Sequence, residues 1–203
     1  MKRRVAGGLL AMLLSVSGAA ALAAGQASSQ DELGRLMQLL AQRKHGEVTY
    51  VEKDYFSVLE RPLTSSGILI YDAPDHLEKR MLRPREESVV LDHGEVTMER
   101  GHRTYHIDLS SYPQLAPYVD AIRATMAGDR AALERVFKVS FEGDLKHWQL
   151  GLVPLDGKVA RGVRSIEIEG AEGDVQSVQI DKPNGDRSLM TMTAPAPQGP
   201  PGK

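Results

Sequence analysis

The chain has 203 residues, 41% hydrophobic and 26% charged, a globular composition that argues against a wholly disordered or fibrous protein. Lysine plus arginine number 25 against 27 aspartate plus glutamate, so there is no basic excess to hold nucleic acid. There is no cysteine, which excludes disulfides, thiolate zinc sites, a cysteine nucleophile and a lipid-modified cysteine.

Lys2, Arg3 and Arg4 precede an uncharged stretch from Val5 to Ala23 that centres on Leu9, Leu10, Leu13 and Leu14. Ala21-Leu22-Ala23 fits an A-x-A cleavage site, so residues 1–23 read as a cleaved secretory signal peptide. Gly7, Gly8 and Gly18 make the segment a poor permanent membrane span. Cleavage leaves 180 residues and a net charge of −5, because three bases and no acids are lost. That length suits one soluble domain over residues 24–193, expected in a bacterial periplasm. Residues 194–203 are rich in Pro and Gly and read as a disordered tail.

Ser29 and Glu32 have capping-box spacing, and Leu33, Leu36, Met37 and Leu40 repeat at i, i+3, i+4 and i+7. A helix is predicted over Ser29–Lys44. From Glu47 the period changes to two. Strands are predicted around Val48–Val58, Gly67–Tyr71, Leu77–Leu82, Ser88–Leu91, Val96–Met98 and Tyr105–Leu109, with Asp92-His93-Gly94 as a hairpin turn. Turns this closely spaced argue for an antiparallel meander. Leu115, Val119, Ile122 and Met126 then mark a helix over Pro117–Ala127. Gly128-Asp129 ends it and caps a second helix carrying Leu133, Val136 and Phe137. Strands resume with Val139–Phe141, Trp148–Leu152, Ile166–Ile168, Val178–Ile180 and Met190–Met192. The total is about eleven strands in an α+β chain, each with one apolar and one polar face.

Candidate chemistry is sparse. His102, His106 and Asp108 share a strand face, but Arg100 and Arg103 flank them and no third ligand is fixed by spacing, so no metal site is expected. No G-x-S-x-G or P-loop occurs, and Ser65-Ser66-Gly67 reads as a turn before a strand. Glu167 and Glu169 alternate with Ile166 and Ile168, which turns them toward solvent and makes them poor general acids. No catalytic residue and no cofactor is expected. Glu78-Lys79-Arg80 with Arg83 and Arg85 could form a basic rim for phosphate head groups, or simply protect a strand edge. The apolar strand faces remain. About eleven curved strands enclose more room than their own side chains fill, and only ten residues are aromatic. Either the helices plug the space or a hydrophobic ligand occupies it, and Met81, Met98, Met190 and Met192 would give adaptable walls.

These segments resemble the LolA family of periplasmic lipoprotein carriers in their order and spacing. The matching stretches are Gly67 to Pro74, Glu87 to Gly94, Trp148 to Pro154, Ile166-Glu167-Ile168, Val175 to Ile180 and Gly185 to Ser188. The family's F-x-Q on strand one is here Tyr50-Val51-Glu52, and its lid-holding Arg before Pro aligns with Ala73. The chain looks closest to a divergent branch that accompanies polyketide-like or acyl-lipid pathways. The resemblance implies a half-open antiparallel β-barrel with a helical lid, carrying an acylated lipoprotein or other lipophilic molecule without catalysis. It implies an inner-membrane donor and an outer-membrane acceptor, and a monomer is expected.

The concave face is expected to present Ile68 or Leu69, Met98, Ile107, Leu150, Leu152, Ile166, Ile168, Val178 and Ile180, with Met190 and Met192 near one end. Leu36, Leu40, Val119, Ile122, Met126 and Leu133 are expected to line the lid. A carrier's cavity is expected to be dry and uncharged. The alternatives are a regulatory module that senses a lipid or lipoprotein, and a periplasmic enzyme of unrecognised type.

Overall fold

The structure, a computed structural model, describes residues 19–108, 111 and 116–194. The expected leader falls largely outside these residues, as do Leu109, Leu115 and all but the first residue of the expected tail. In chain order the elements are α1 (Ala19–Ala41), β1 (His45–Tyr55), β2 (Leu63–Asp72), β3 (His76–Arg83), β4 (Glu87–Asp92), β5 (Glu95–Arg100), β6 (Arg103–Asp108), α2 (Ala116–Ala127), α3 (Arg130–Val136), β7 (Phe137–Asp144), β8 (His147–Pro154), α4 (Gly157–Ala160), β9 (Ser165–Ala171), β10 (Asp174–Asp181) and β11 (Arg187–Thr193).

All eleven strands join one antiparallel sheet in the order β6-β5-β4-β3-β2-β1-β11-β10-β9-β8-β7. Two meanders of consecutive strands therefore meet at the β1–β11 pair. Strands β6 and β7 are the two edges, so the sheet does not close into a full barrel. The connection between those edges carries α2 and α3. At the β4–β5 hairpin, His93 (φ 47°) and Gly94 (φ 83°) both take positive φ, as a type I′ turn demands.

Three elements depart from the sequence expectation. Helix α1 also takes in residues 19–28, ahead of Ser29, because the alanine-rich stretch before the capping box is itself a strong helix former. It ends at Ala41, where Lys44 Nζ donates to the Ala41 carbonyl at 2.9 Å. Strand β1 stops at Tyr55, and the backbone of Ser57 is instead held by Asp186 Oδ1 at 2.9 Å. Helix α4 is only four residues long, too short to leave a periodic signal. Helix α3 opens as expected, with Asp129 accepting from the Ala132 N–H at 2.9 Å.

Period-two register decides which residues meet. Val48 pairs Leu69, Tyr50 pairs Met192, Val178 pairs Ile168, and Leu150 pairs both Ile168 and Phe141. The helices cover this same face. Leu33, Leu36, Met37 and Leu40 of α1 pack with Ala121, Ala124, Leu133, Phe137, Trp148, Leu150, Leu152, Ile166 and Ile168 in one buried cluster. Gly128 (φ 65°) lets α1 and α2 touch, since a Cβ there would lie 2.0 Å from the Met37 carbonyl oxygen. Trp148 closes the core at the far end of β8, and its Nε1 donates to the Glu172 carbonyl at 3.0 Å. No helix among the described residues is long and apolar enough to cross a membrane.

Candidate functional site

The helices plug only part of the inner face. Over β7–β9 they pack directly on the strands, while over β1–β3, β10 and β11 they stand off. The gap is a cavity of about 270 Å3. Its floor is Val48, Leu69, Tyr71, Leu77, Val178, Ile180, Met190 and Met192. Its roof is Leu40 of α1 with Ile122 and Met126 of α2. A smaller space of about 50 Å3 adjoins it, sharing Ile122, Met126, Val175, Val178 and Ile180 and reaching Ile166 and Ile168.

The expected wall residues divide accordingly. Val178, Ile180, Met190 and Met192 line the main cavity, and Ile166 and Ile168 line only the smaller one. Leu150 and Leu152 line neither. They are fully buried beneath the helices, and this corrects their expected place in the cavity wall. Ile68 is also corrected, since it pairs with Thr49 and Arg80 on the outer face and Leu69 takes its place inside. Met98 and Ile107 do lie on the inner register, but beyond the helices, in an open cleft along β5 and β6 with Tyr105. Among the expected lid residues, Leu40, Ile122 and Met126 roof the cavity, Leu36 and Leu133 are core, and Val119 is half-buried and lines neither space. Glu167 and Gln179 pair with each other on the outer face.

The cavity is not uncharged, which overturns that expectation. Glu52 and Lys79 both line it and form an ion pair, with side chains 13% and 29% exposed. The Glu52 carboxylate also accepts from Ser188 Oγ at 3.1 Å and Ser65 Oγ at 3.3 Å. Lys79 Nζ stands 5.2 Å from the centre of the Tyr50 ring, within cation–π range. Gly67, opposite Tyr50 in register, has no side chain to obstruct this crossing. Burial, and after it the Glu52 charge, push the Tyr50 phenol up to about 12. Its hydroxyl is buried without a hydrogen-bond partner among the described residues, and Ser65, though near enough to oppose the rise, lies outside hydrogen-bonding geometry. The period-two signal that marks Val48, Leu77 and Met81 as inward marks Glu52 and Lys79 too. The expectation of an uncharged cavity hid them.

Lys79 turns inward and Arg80 pairs with Glu78 at 2.7 and 3.0 Å, so the expected basic rim is broken up. On the lid side, Arg123 of α2 reaches Asp75 in the β2–β3 turn at 3.5 Å. His106 Nδ1 lies 3.2 Å from Thr97 Oγ1 and 3.3 Å from Glu95, while His102 is exposed in the β5–β6 turn. Asp75, Asp92 and His93 bring ligand atoms within 4.8 Å of one another. Two of the three are exposed, Asp75 is paired to Arg123, and His93 Nδ1 is 2.8 Å from Asp92.

A search of curated protein sequences finds no significant match. Among solved structures, the chain is similar to a LolA superfamily protein, NE2245 from Nitrosomonas europaea. That match has 9% identity and a TM-score of 0.46, covering 81% of this chain and 91% of that one. It is similar to a DUF1329 family protein from Desulfovibrio piger at 10% identity and a TM-score of 0.48, covering 85% and 94%. It is similar to the MucA/MucB complex of Pseudomonas aeruginosa at 15% identity and a TM-score of 0.45, covering 84% and 59%. The family model described as outer membrane lipoprotein carrier protein LolA-like matches residues 23–198, and the chain belongs to that family.

Proposed function

We propose that this protein is a periplasmic carrier that holds an acyl chain of a lipoprotein or another lipophilic molecule under its helical lid. It moves that cargo toward the outer membrane, between an inner-membrane donor and an outer-membrane acceptor, and performs no catalysis. One observation carries this reading: the family's sheet here leaves a largely apolar cavity, roofed among the described residues by Leu40, Ile122 and Met126 of α1 and α2. Each methylene transferred from water to such a wall contributes about 0.8 kcal/mol, so even a short chain is held firmly.

Release requires the roof to move. The family's lid-holding Arg is Ala73 here, and the polarity of the tie is reversed. The cation, Arg123, sits on the lid, and the anion, Asp75, sits on the strand turn. Breaking that partly buried pair is the proposed opening step. The proposed cargo class is tested by purifying the secreted protein natively from the periplasm and analysing its organic extract by mass spectrometry. An acylated molecule in stoichiometric amount is expected. A lipid-free extract, together with no binding of added acylated probes, would refute the carrier role.

A further inference from the structure

Two polar groups line the cavity: Arg43 beside Gly46, already paired with Asp174, and Glu52, Lys79 and Ser188, which meet on the floor. A cavity built for hydrocarbon alone gains nothing from a charge pair there, because taking two charges out of water costs free energy that their attraction does not automatically return. The donor and acceptor inventory says what the pair offers. Glu52 already accepts from Ser65, Ser188 and Lys79, so it is well supplied with donors. Lys79 carries three N–H donors. One meets Glu52, the ammonium rests over the Tyr50 ring, and no other protein acceptor for it exists among the described residues. The pair therefore presents a hydrogen-bond donor to the cavity, with its charge already balanced.

We propose that the Glu52–Lys79 pair is a head-group site: Lys79 Nζ donates to the neutral carbonyl oxygen of an ester- or amide-linked acyl chain lying on Val48, Leu69, Val178 and Met190. A neutral acceptor fits best. A free carboxylate would meet a lysine whose charge Glu52 has neutralised, and would face Glu52 itself. A chain with no head would leave the partly buried ammonium N–H without a protein acceptor, which costs free energy beside an apolar wall. This assignment rests on the carrier reading and adds the ligand's polar chemistry to it.

The test uses three pyrene-labelled chains of equal length, ending in a methyl ester, a carboxylate or a methyl group, titrated into the full chain. Wild type should bind the ester about ten-fold more tightly than the methyl-terminated chain, the gain of one hydrogen bond to a charged donor. Lys79→Met should bring the ester down to the methyl-terminated level and leave the latter within about two-fold. Should the lone Glu52 unfold that variant, the double change Glu52→Gln with Lys79→Met removes both charges and should give the same pattern. Glu52→Gln alone should raise carboxylate affinity several-fold, because Lys79 then keeps its charge. Equal losses for all three probes in Lys79→Met, or a wild type that prefers the free carboxylate, would overturn the head-group site while leaving the carrier role intact. Failure of every probe to bind wild type would overturn both.

Discussion

The contact between α1 and α2 is the most exacting in the lid, and Gly128 is the residue that allows it. Changing Gly128 to Ala does two things. The backbone sits at φ 65°, where an L side chain costs about 1–2 kcal/mol. The new Cβ would also lie 2.0 Å from the Met37 carbonyl oxygen and 2.9 Å from Ala41 Cβ, so the last turns of α1 must move away. Met37 and Leu40 of that turn are buried, and partly exposing one of them costs about 1–2 kcal/mol more. Together Gly128→Ala should lose roughly 3 kcal/mol. Gly94→Ala is the matched control, since its φ is 83° but nothing lies within 4 Å of the added Cβ. Urea unfolding followed by Trp148, the single tryptophan and 2% exposed, reads both. At a slope of about 2 kcal/mol per molar urea, the midpoint should fall about 1.5 M for Gly128→Ala and about half that for Gly94→Ala. Gly128→Ala should also weaken acyl-probe binding, since Leu40 roofs the cavity from the displaced turn. Equal midpoints for the two variants would refute the close packing of the lid helices.

Four further outcomes are expected. Val178→Glu puts a charge in the cavity wall and should cut acyl-probe affinity at least about ten-fold, whereas Gln179→Glu on the outer face should not; circular dichroism checks that each is folded. Leu150→Ala should cost about 2–5 kcal/mol in urea unfolding yet leave probe affinity within about two-fold, because Leu150 is core rather than cavity. Asp75→Asn should leave Arg123 without its counter-charge and speed hydrogen exchange in α2 more than in β8, by about ten-fold; uniform exchange would argue against a latch. Tyr50 holds its proton to about pH 12 when folded, against an ordinary value of 10.0. Folding is therefore favoured fully below pH 10, and this contribution of about 3 kcal/mol is lost as pH rises through 12. Tyr50→Phe should flatten that part of the alkaline unfolding curve.

The strands are legible where period two runs unbroken: Val48, Tyr50 and Glu52 sit inward together, as do Leu77, Lys79 and Met81. Two things were not legible. Alternation assigns Leu150 and Val178 to the same face, but it does not say which of them a helix will press upon. That is decided by how α1 and α2 dock through Gly128, a contact between segments far apart in sequence. The N-terminal reach of α1 is not legible for a related reason, since a capping box competes with alanine propensity and only the folded context arbitrates. The polar part of the cavity is readable in the register, since Glu52 and Lys79 share the inward parity of Val48 and Leu77.

The β1–β11 seam has a kinetic consequence. Every other strand pair joins neighbours in the chain, but this one brings Thr49 to Thr193, 144 residues apart, with their hydroxyls 2.8 Å from each other. Closing a loop of that length costs about 2 kcal/mol more entropy than bringing together Glu52 and Ser65, 13 residues apart, across β1 and β2. The two meanders should therefore zip up separately, with the seam as the last ladder to form. Until it does, β1 and β11 are bare edges able to recruit a second unfolded chain, so refolding yield should fall with protein concentration. Pulse-labelled hydrogen exchange should find the β1–β11 amides protected last.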